Sequence, residues 1–183
     1  MRVLVLSVIA ACAVDPTETS HTTEDACGGV IVEQAIVASP HVPLGVPIEW
    51  PSNPPTSGPH WPIWAAWDRH YAQLERGYWL HDAEHGAIVL AYRDPGLAAP
   101  LDAFVQAQPA DPHCDAPVKQ RAIVVADPEL PTEQEVYAIA WGVYYAASCI
   151  DPVALAAFYE AHVGRGAENT CAEGADFGGV PLY

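Results

Sequence analysis

The sequence predicts an α+β fold: a small, mostly antiparallel or mixed sheet with two packed helices and a long proline-rich loop. Three observations carry that expectation. Short runs rich in β-branched and aromatic residues recur along the chain, among them VIVEQAIV, AIVLAY and AIVV. Two Asp-Pro steps, Asp94-Pro95 and Asp151-Pro152, each offer an N-cap and a first-turn proline to a helical pattern. Eight prolines between Pro40 and Pro62 exclude both a helix interior and a central strand from that segment.

In chain order, Val30 to Val37 reads as the first strand. Pro40 to Pro62 follows as a stiff extended ribbon, turning at Ser52-Asn53 and Ser57-Gly58. Trp64, Trp67, Tyr71 and Leu74 stand at helix-like spacing before Gly77, which suits a short helix or turn. Tyr78 to Leu80 and Ala87 to Tyr92 are β-rich and flank HDAEHG, residues 81–86. Asp94-Pro95 starts a helix through Gln108, and a loop around residues 111–115 leads to strands at Ala122–Val125 and Val136–Tyr145. Asp151-Pro152 starts the second helix, which ends at Gly164 or Gly166 with Leu155, Phe158 and Tyr159 on one face. The stretch from Glu168 to Tyr183 reads as irregular.

Composition limits the partners. The chain has 183 residues, 51% of them hydrophobic, enough for one core and one globular unit, placed at residues 28–183. Its formal net charge is -16, from 23 acidic and 7 basic residues. Such a surface repels nucleic acid and anionic lipid headgroups.

The N-terminus implies export. The apolar run Val3 to Ala11 is too short to span a bilayer but suits the core of a signal peptide. It ends in Ala10-Ala11-Cys12, which resembles the cleavage box of bacterial lipoproteins, with Cys12 as the lipidated residue; the alternative is an ordinary secretory signal cut near Ala13. Residues 1–12 are therefore expected to be a signal peptide, and residues 13–27, rich in Thr, Ser, Asp and Glu, a disordered polar tether. The expected location is the bacterial cell envelope, periplasm or outer membrane, reached through a lipid anchor. Cys27, Cys114, Cys149 and Cys171 remain as an even set of disulfide candidates, with three pairings open.

Eight histidines accompany a single lysine. His41 and His60 lie at the two ends of the proline ribbon, while His81 and His85 share one side of their segment whether it is helix or strand. Four imidazoles held by a rigid frame suit one transition-metal ion, copper or zinc, and disfavour calcium. Glu84 reads as a ligand, as an acceptor that fixes an imidazole tautomer, which is the preferred reading, or as the one candidate for a general base. His70 and His113 read as surface or packing residues, His162 as a helix C-terminal residue, and Asp82 as a turn residue.

Pro54 to His60 (PPTSGPH) followed by Trp61-Pro62, together with His81, Glu84, His85 and Gly86 ahead of a β-rich run, resembles the paired motifs of the bacterial family called domain of unknown function 3105. Asp82, Ala83 and Ala87 depart from the family's usual HNLEHGG. His41 fills the place of a histidine that recurs before the first motif. The resemblance covers roughly residues 38–165. It implies a shared fold, a shared histidine-rich centre and export or membrane tethering, and it brings no settled activity.

Two rival readings stay open. HDAEHG also fits the H-x-x-E-H motif of inverted zinc peptidases, a zinc-dependent hydrolase reading in which His81 and His85 hold the ion, Glu84 is the base and Glu160 stands at a suitable distance for a third ligand. That motif needs an unbroken helix, whereas Gly86 and a strand pattern follow at once. The second rival is an envelope scaffold or binding module without metal, whose aromatic groove around Trp61 and Trp64 takes peptide or glycan. No G-x-S-x-G elbow, Walker loop, Rossmann glycine pattern or C-x-x-C-H is present.

Overall fold

The computed structural model describes residues 18–183. The expected signal peptide, Cys12 and the first part of the tether lie outside the described residues. An eight-stranded mixed sheet runs through the molecule. Its strands are β1 (Thr19–Thr22), β2 (Val30–Glu33), β3 (Arg69–Tyr71), β4 (Ile88–Tyr92), β5 (Ala122–Ala126), β6 (Val136–Ala140), β7 (Val143–Ala147) and β8 (Val180–Pro181). Their order across the sheet is β1-β2-β7-β6-β4-β5-β3-β8. β5 runs parallel to both β4 and β3, while the other pairings are antiparallel.

The helices lie on both faces of this sheet. α2 (Ala98–Ala107) and α3 (Pro152–His162) cover one face, and α1 (Arg76–Glu84) covers the other. Strand alternation sorts the side chains. Ile88, Leu90, Val124 and Ala138 pack with Leu101, Phe104, Leu155 and Phe158, whereas Val89, Ala91, Ile123 and Ile139 pack with Trp79, Leu80 and Ala83. β4 is thus buried on both faces, which explains its unbroken apolar sequence IVLAY. The fold is α+β, as the sequence predicts, with a third helix added.

The predicted helix starts are found. Asp94 accepts the Gly96 N–H at 2.8 Å and opens a single 3-10 turn into α2. Asp151 accepts from Val153 and Ala154 at the start of α3. The proline-rich segment forms neither helix nor strand across 42–59, and one parallel bridge joins its ends at His41 and His60.

Other elements differ from expectation for physical reasons. The β-rich run Tyr78 to Leu80 belongs to α1, which continues through Asp82 to Glu84. Trp79, Leu80 and Ala83 face the sheet while His81, Asp82 and Glu84 are buried against the ribbon, so burial all round erased any amphipathic period. The helix-like spacing before Gly77 is instead loop plus the short strand β3. Val136 to Tyr145 is a hairpin with Trp141-Gly142 as its two-residue turn, Gly142 having a φ of +77°.

The stretch expected to be a tether enters the sheet from Thr19 onward. β1 pairs with β2 at the sheet edge, where exposed Thr and Ser suit a strand with one free side. Asp25 then ties the turn: it accepts N–H groups from Cys27 and Gly29 and the hydroxyls of Thr23 and Tyr145. These bonds, the one from Thr23 largest, hold its carboxyl down at about 2.

The four cysteines form two disulfides, Cys27–Cys149 and Cys114–Cys171. They join segments 122 and 57 residues apart and suit an oxidising environment of the kind an exported protein meets. No helix among the described residues is long and apolar enough to cross a membrane.

Candidate metal centre

The site lies where α1 meets the proline ribbon. Val42 N–H donates to the His60 carbonyl at 2.9 Å and His60 N–H to the Pro40 carbonyl at 3.3 Å, so the ribbon's two limbs run side by side. That pairing places the His41 and His60 rings 5.0 Å apart, centroid to centroid. α1 supplies the rest. His81 stands 4.6 Å from the His60 ring and 4.8 Å from that of His41. His85, one turn along, lies 4.5 Å from His81.

Two hydrogen bonds fix which nitrogens face inward. His60 Nδ1–H donates to the Gly58 carbonyl at 2.9 Å, and His81 Nδ1–H donates to the Trp61 carbonyl at 2.7 Å. A carbonyl can only accept, so in each neutral ring Nε2 carries a bare lone pair. His60 Nε2 lies 3.0 Å from Glu84 Oε2, and His81 Nε2 lies 3.1 Å from His85 Nε2. Lone pairs facing one another at these distances repel unless a proton or cation lies between them.

His41, His60, His81 and Glu84 each offer a donor atom within 4.8 Å of the others, and this group could hold a metal ion. Glu84, His85 and Glu168 form a second such group. The four sequence-selected histidines are therefore brought together, but His85 falls in the neighbouring group. Glu84, whose Oε2 lies 3.0 Å from His60 Nε2, is shared by both groups. Glu160, on α3, belongs to neither group.

Charge in the site follows from burial. Desolvation, aided by the neighbouring His85, pushes His81 down to about 4. Desolvation also lowers His85, against the pull of Glu168 and Glu84. Burial alone would raise Glu84, yet the His60 hydrogen bond and the nearby imidazoles hold it below the ordinary glutamate value. Near neutral pH the site thus presents neutral imidazole at His81 beside a carboxylate, which is the protonation state that metal ligation requires.

Several supporting residues gave no signal in the sequence. Asp82, expected in a turn, is fully buried in α1 and accepts Trp67 Nε1–H at 2.7 Å and Ala65 N–H at 3.3 Å, locking the ribbon's exit onto the helix. Arg121 lies buried under the end of α1, with Nε 2.7 Å from Asp111 Oδ2 and Nη1 bonded to Asn169. Glu168 arrives on a strap: its N–H donates to the Glu84 carbonyl, and Gly164 N–H donates to the Gly86 carbonyl, both at 2.8 Å. Gly86 has a φ of +92°, and a Cβ there would lie 2.9 Å from Gly164 Cα, so the strap's close approach requires glycine.

The remaining histidines lie apart. His70 bonds Asp102 at 3.0 Å and the Tyr92 hydroxyl at 2.7 Å, and so packs α2 against the sheet. His162 occupies the last turn of α3, where burial lowers it.

The profile of the family described as Protein of unknown function (DUF3105) matches residues 41–175. The chain belongs to the DUF3105 family. The match begins at His41 and contains every residue of both candidate groups. No curated protein and no solved structure matches the chain. This DUF3105 protein therefore has its family from sequence and its chemistry from the site alone.

Proposed function

We propose that this DUF3105 protein binds a transition-metal ion, copper or zinc, through His41, His60, His81 and Glu84. One observation carries the reading: two buried imidazoles give their Nδ1–H to backbone carbonyls and leave Nε2 bare, that of His60 3.0 Å from the Glu84 carboxylate and that of His81 in the same cluster of donors. Ligating histidines generally anchor the distal nitrogen in this way, which fixes tautomer and ring orientation before the ion arrives. Spacing agrees. Zinc bonds to His and Glu of about 2.0–2.1 Å put tetrahedral ligand atoms about 3.3 Å apart, and the His60–Glu84 separation is 3.0 Å.

The ion is held at the cell envelope, on a chain exported by its N-terminal signal and anchored through Cys12. The lipobox-like Ala10-Ala11-Cys12 and the two disulfides support that location. Storage, sensing and catalysis all remain compatible with a three-histidine, one-carboxylate set. A hydrolase needs an open coordination position and a free base, and a ligating Glu84 is not free. Elemental analysis of tag-free protein tests the proposal. Near-stoichiometric copper or zinc is expected, lost in His60→Ala and His81→Ala; absence of bound metal after purification and zinc or copper incubation overturns it.

A second reading rests on a groove of about 690 Å³ beside the site, lined by Trp50, Trp61, Leu74, Tyr78 and Arg76. Its aromatic wall suits a peptide or glycan partner. Trp61 serves both places, its ring lining the groove and its carbonyl accepting from His81. Partner binding lost in Tyr78→Ala but unaffected by chelation would favour the groove over the ion.

A further inference from the structure

Six donor residues meet at the end of α1, more than one tetrahedral ion can use. They divide into two groups that share one residue: His41, His60 and His81 on one side of Glu84, His85 and Glu168 on the other. We infer that the centre is dinuclear, with Glu84 as the bridging carboxylate and a second divalent transition-metal ion held by His85 and Glu168; this rests on the metal-binding reading above.

The geometry of the second group is built rather than incidental. His85 is buried, and its Nε2 lies between His81 Nε2 at 3.1 Å and Glu168 Oε2 at 3.4 Å. The Glu168 separation, within the second group, matches the roughly 3.3 Å expected between ligands of one small ion. His85 Nδ1 is buried without a partner, so the polar contacts of the ring all run through Nε2, the nitrogen that faces Glu168. Glu168 is carried by backbone that is held on three sides. Its N–H is bonded to the Glu84 carbonyl, Gly166 packs against the same carbonyl, and Cys171 ties the strap to Cys114.

Each position is reached from solvent on one side. Each group has one exposed residue, His41 in the first and Glu168, its side chain 65% exposed, in the second. The second ion would be reached from solvent at Glu168, with one histidine and two carboxylates as protein ligands, which leaves one position of a tetrahedral shell for a small molecule. Carboxylate-bridged ions of this kind stand about 3.5–4 Å apart and can clamp one oxygen-bearing substrate between them. The harder donor set of the second group suits zinc, manganese or iron(II) more than copper(I).

Zinc(II) titrated calorimetrically into tag-free, chelator-treated protein with its disulfides intact tests the inference, with elemental analysis as a second count. Two equivalents are expected for the natural chain and one for Glu168→Gln, whose exposed side chain spares the fold. One equivalent in both proteins would remove the second site and leave the first standing. Two equivalents in both would overturn the role of Glu168, and no binding in either would overturn both readings.

Discussion

His60 Nε2 points at Glu84 Oε2 from 3.0 Å while the opposite nitrogen of the same ring is already committed to Gly58. The ribbon therefore aims a lone pair at a carboxylate that α1 presents. Such a contact favours whatever cation sits between the two. Replacing Glu84 with Gln keeps the shape and removes the charge, and zinc affinity should fall by at least about tenfold. Competition against a chromogenic chelator measures this, and an unchanged affinity would exclude Glu84 from the ligand set.

Acid should weaken the metal-free protein through His81. Its folded value is lowered from 6.5 to about 4, burial being the main cause, so the unfolded chain binds the proton first as pH falls. Stability from this group is complete above about pH 6.5 and is lost progressively down to about pH 4. Thermal midpoints of chelator-treated protein should decline across that window. His81→Gln should flatten that part of the profile; the same slope in both proteins would contradict the assignment.

The Cys114–Cys171 bridge should matter both to the fold and to the mouth of the site. It closes a separation of 57 residues, and replacing both cysteines with serine should cost about 2–4 kcal/mol in urea unfolding. The strap carrying Glu168 is then held by its backbone bonds to Glu84 and Gly86, by the Arg121–Asn169 bond and by the Trp64–Ala172 bond. Hydrogen exchange at Glu168 and Gly164 should quicken, whereas that in β4 should not. Equal protection in both proteins would mean that the hydrogen bonds hold the strap without the disulfide.

Much of this was legible in the sequence, and the exceptions have physical causes. Asp94 and Asp151 announce helices because an N-cap and first-turn proline act within one turn of chain. The ribbon was legible because proline removes donors wherever it stands, and the four histidines stood out beside one lysine. α1 was not, because Tyr78 and Trp79 have strand-like propensity and burial on several sides leaves no helical period. Glu168 was invisible for a different reason. Its place is set by contacts across 84 positions of chain, Glu168 to Glu84, and by a disulfide whose pairing no spacing reveals.

Gly86 joins these levels, ending α1 one residue after His85 and letting Gly164 approach. Its φ of +92° lies where a side chain is strained, and an added Cβ would meet Gly164 Cα at 2.9 Å and C at 3.1 Å, both backbone atoms that cannot rotate away. Gly86→Ala should therefore cost about 1–3 kcal/mol. It should also displace the strap, so that Glu168 moves from His85 while His60 and His81, held by carbonyls elsewhere, keep their places. Urea unfolding reads the first effect, and zinc titration the second: one equivalent retained and one weakened. A variant as stable as the natural chain would mean that the strap does not press on Gly86 in solution.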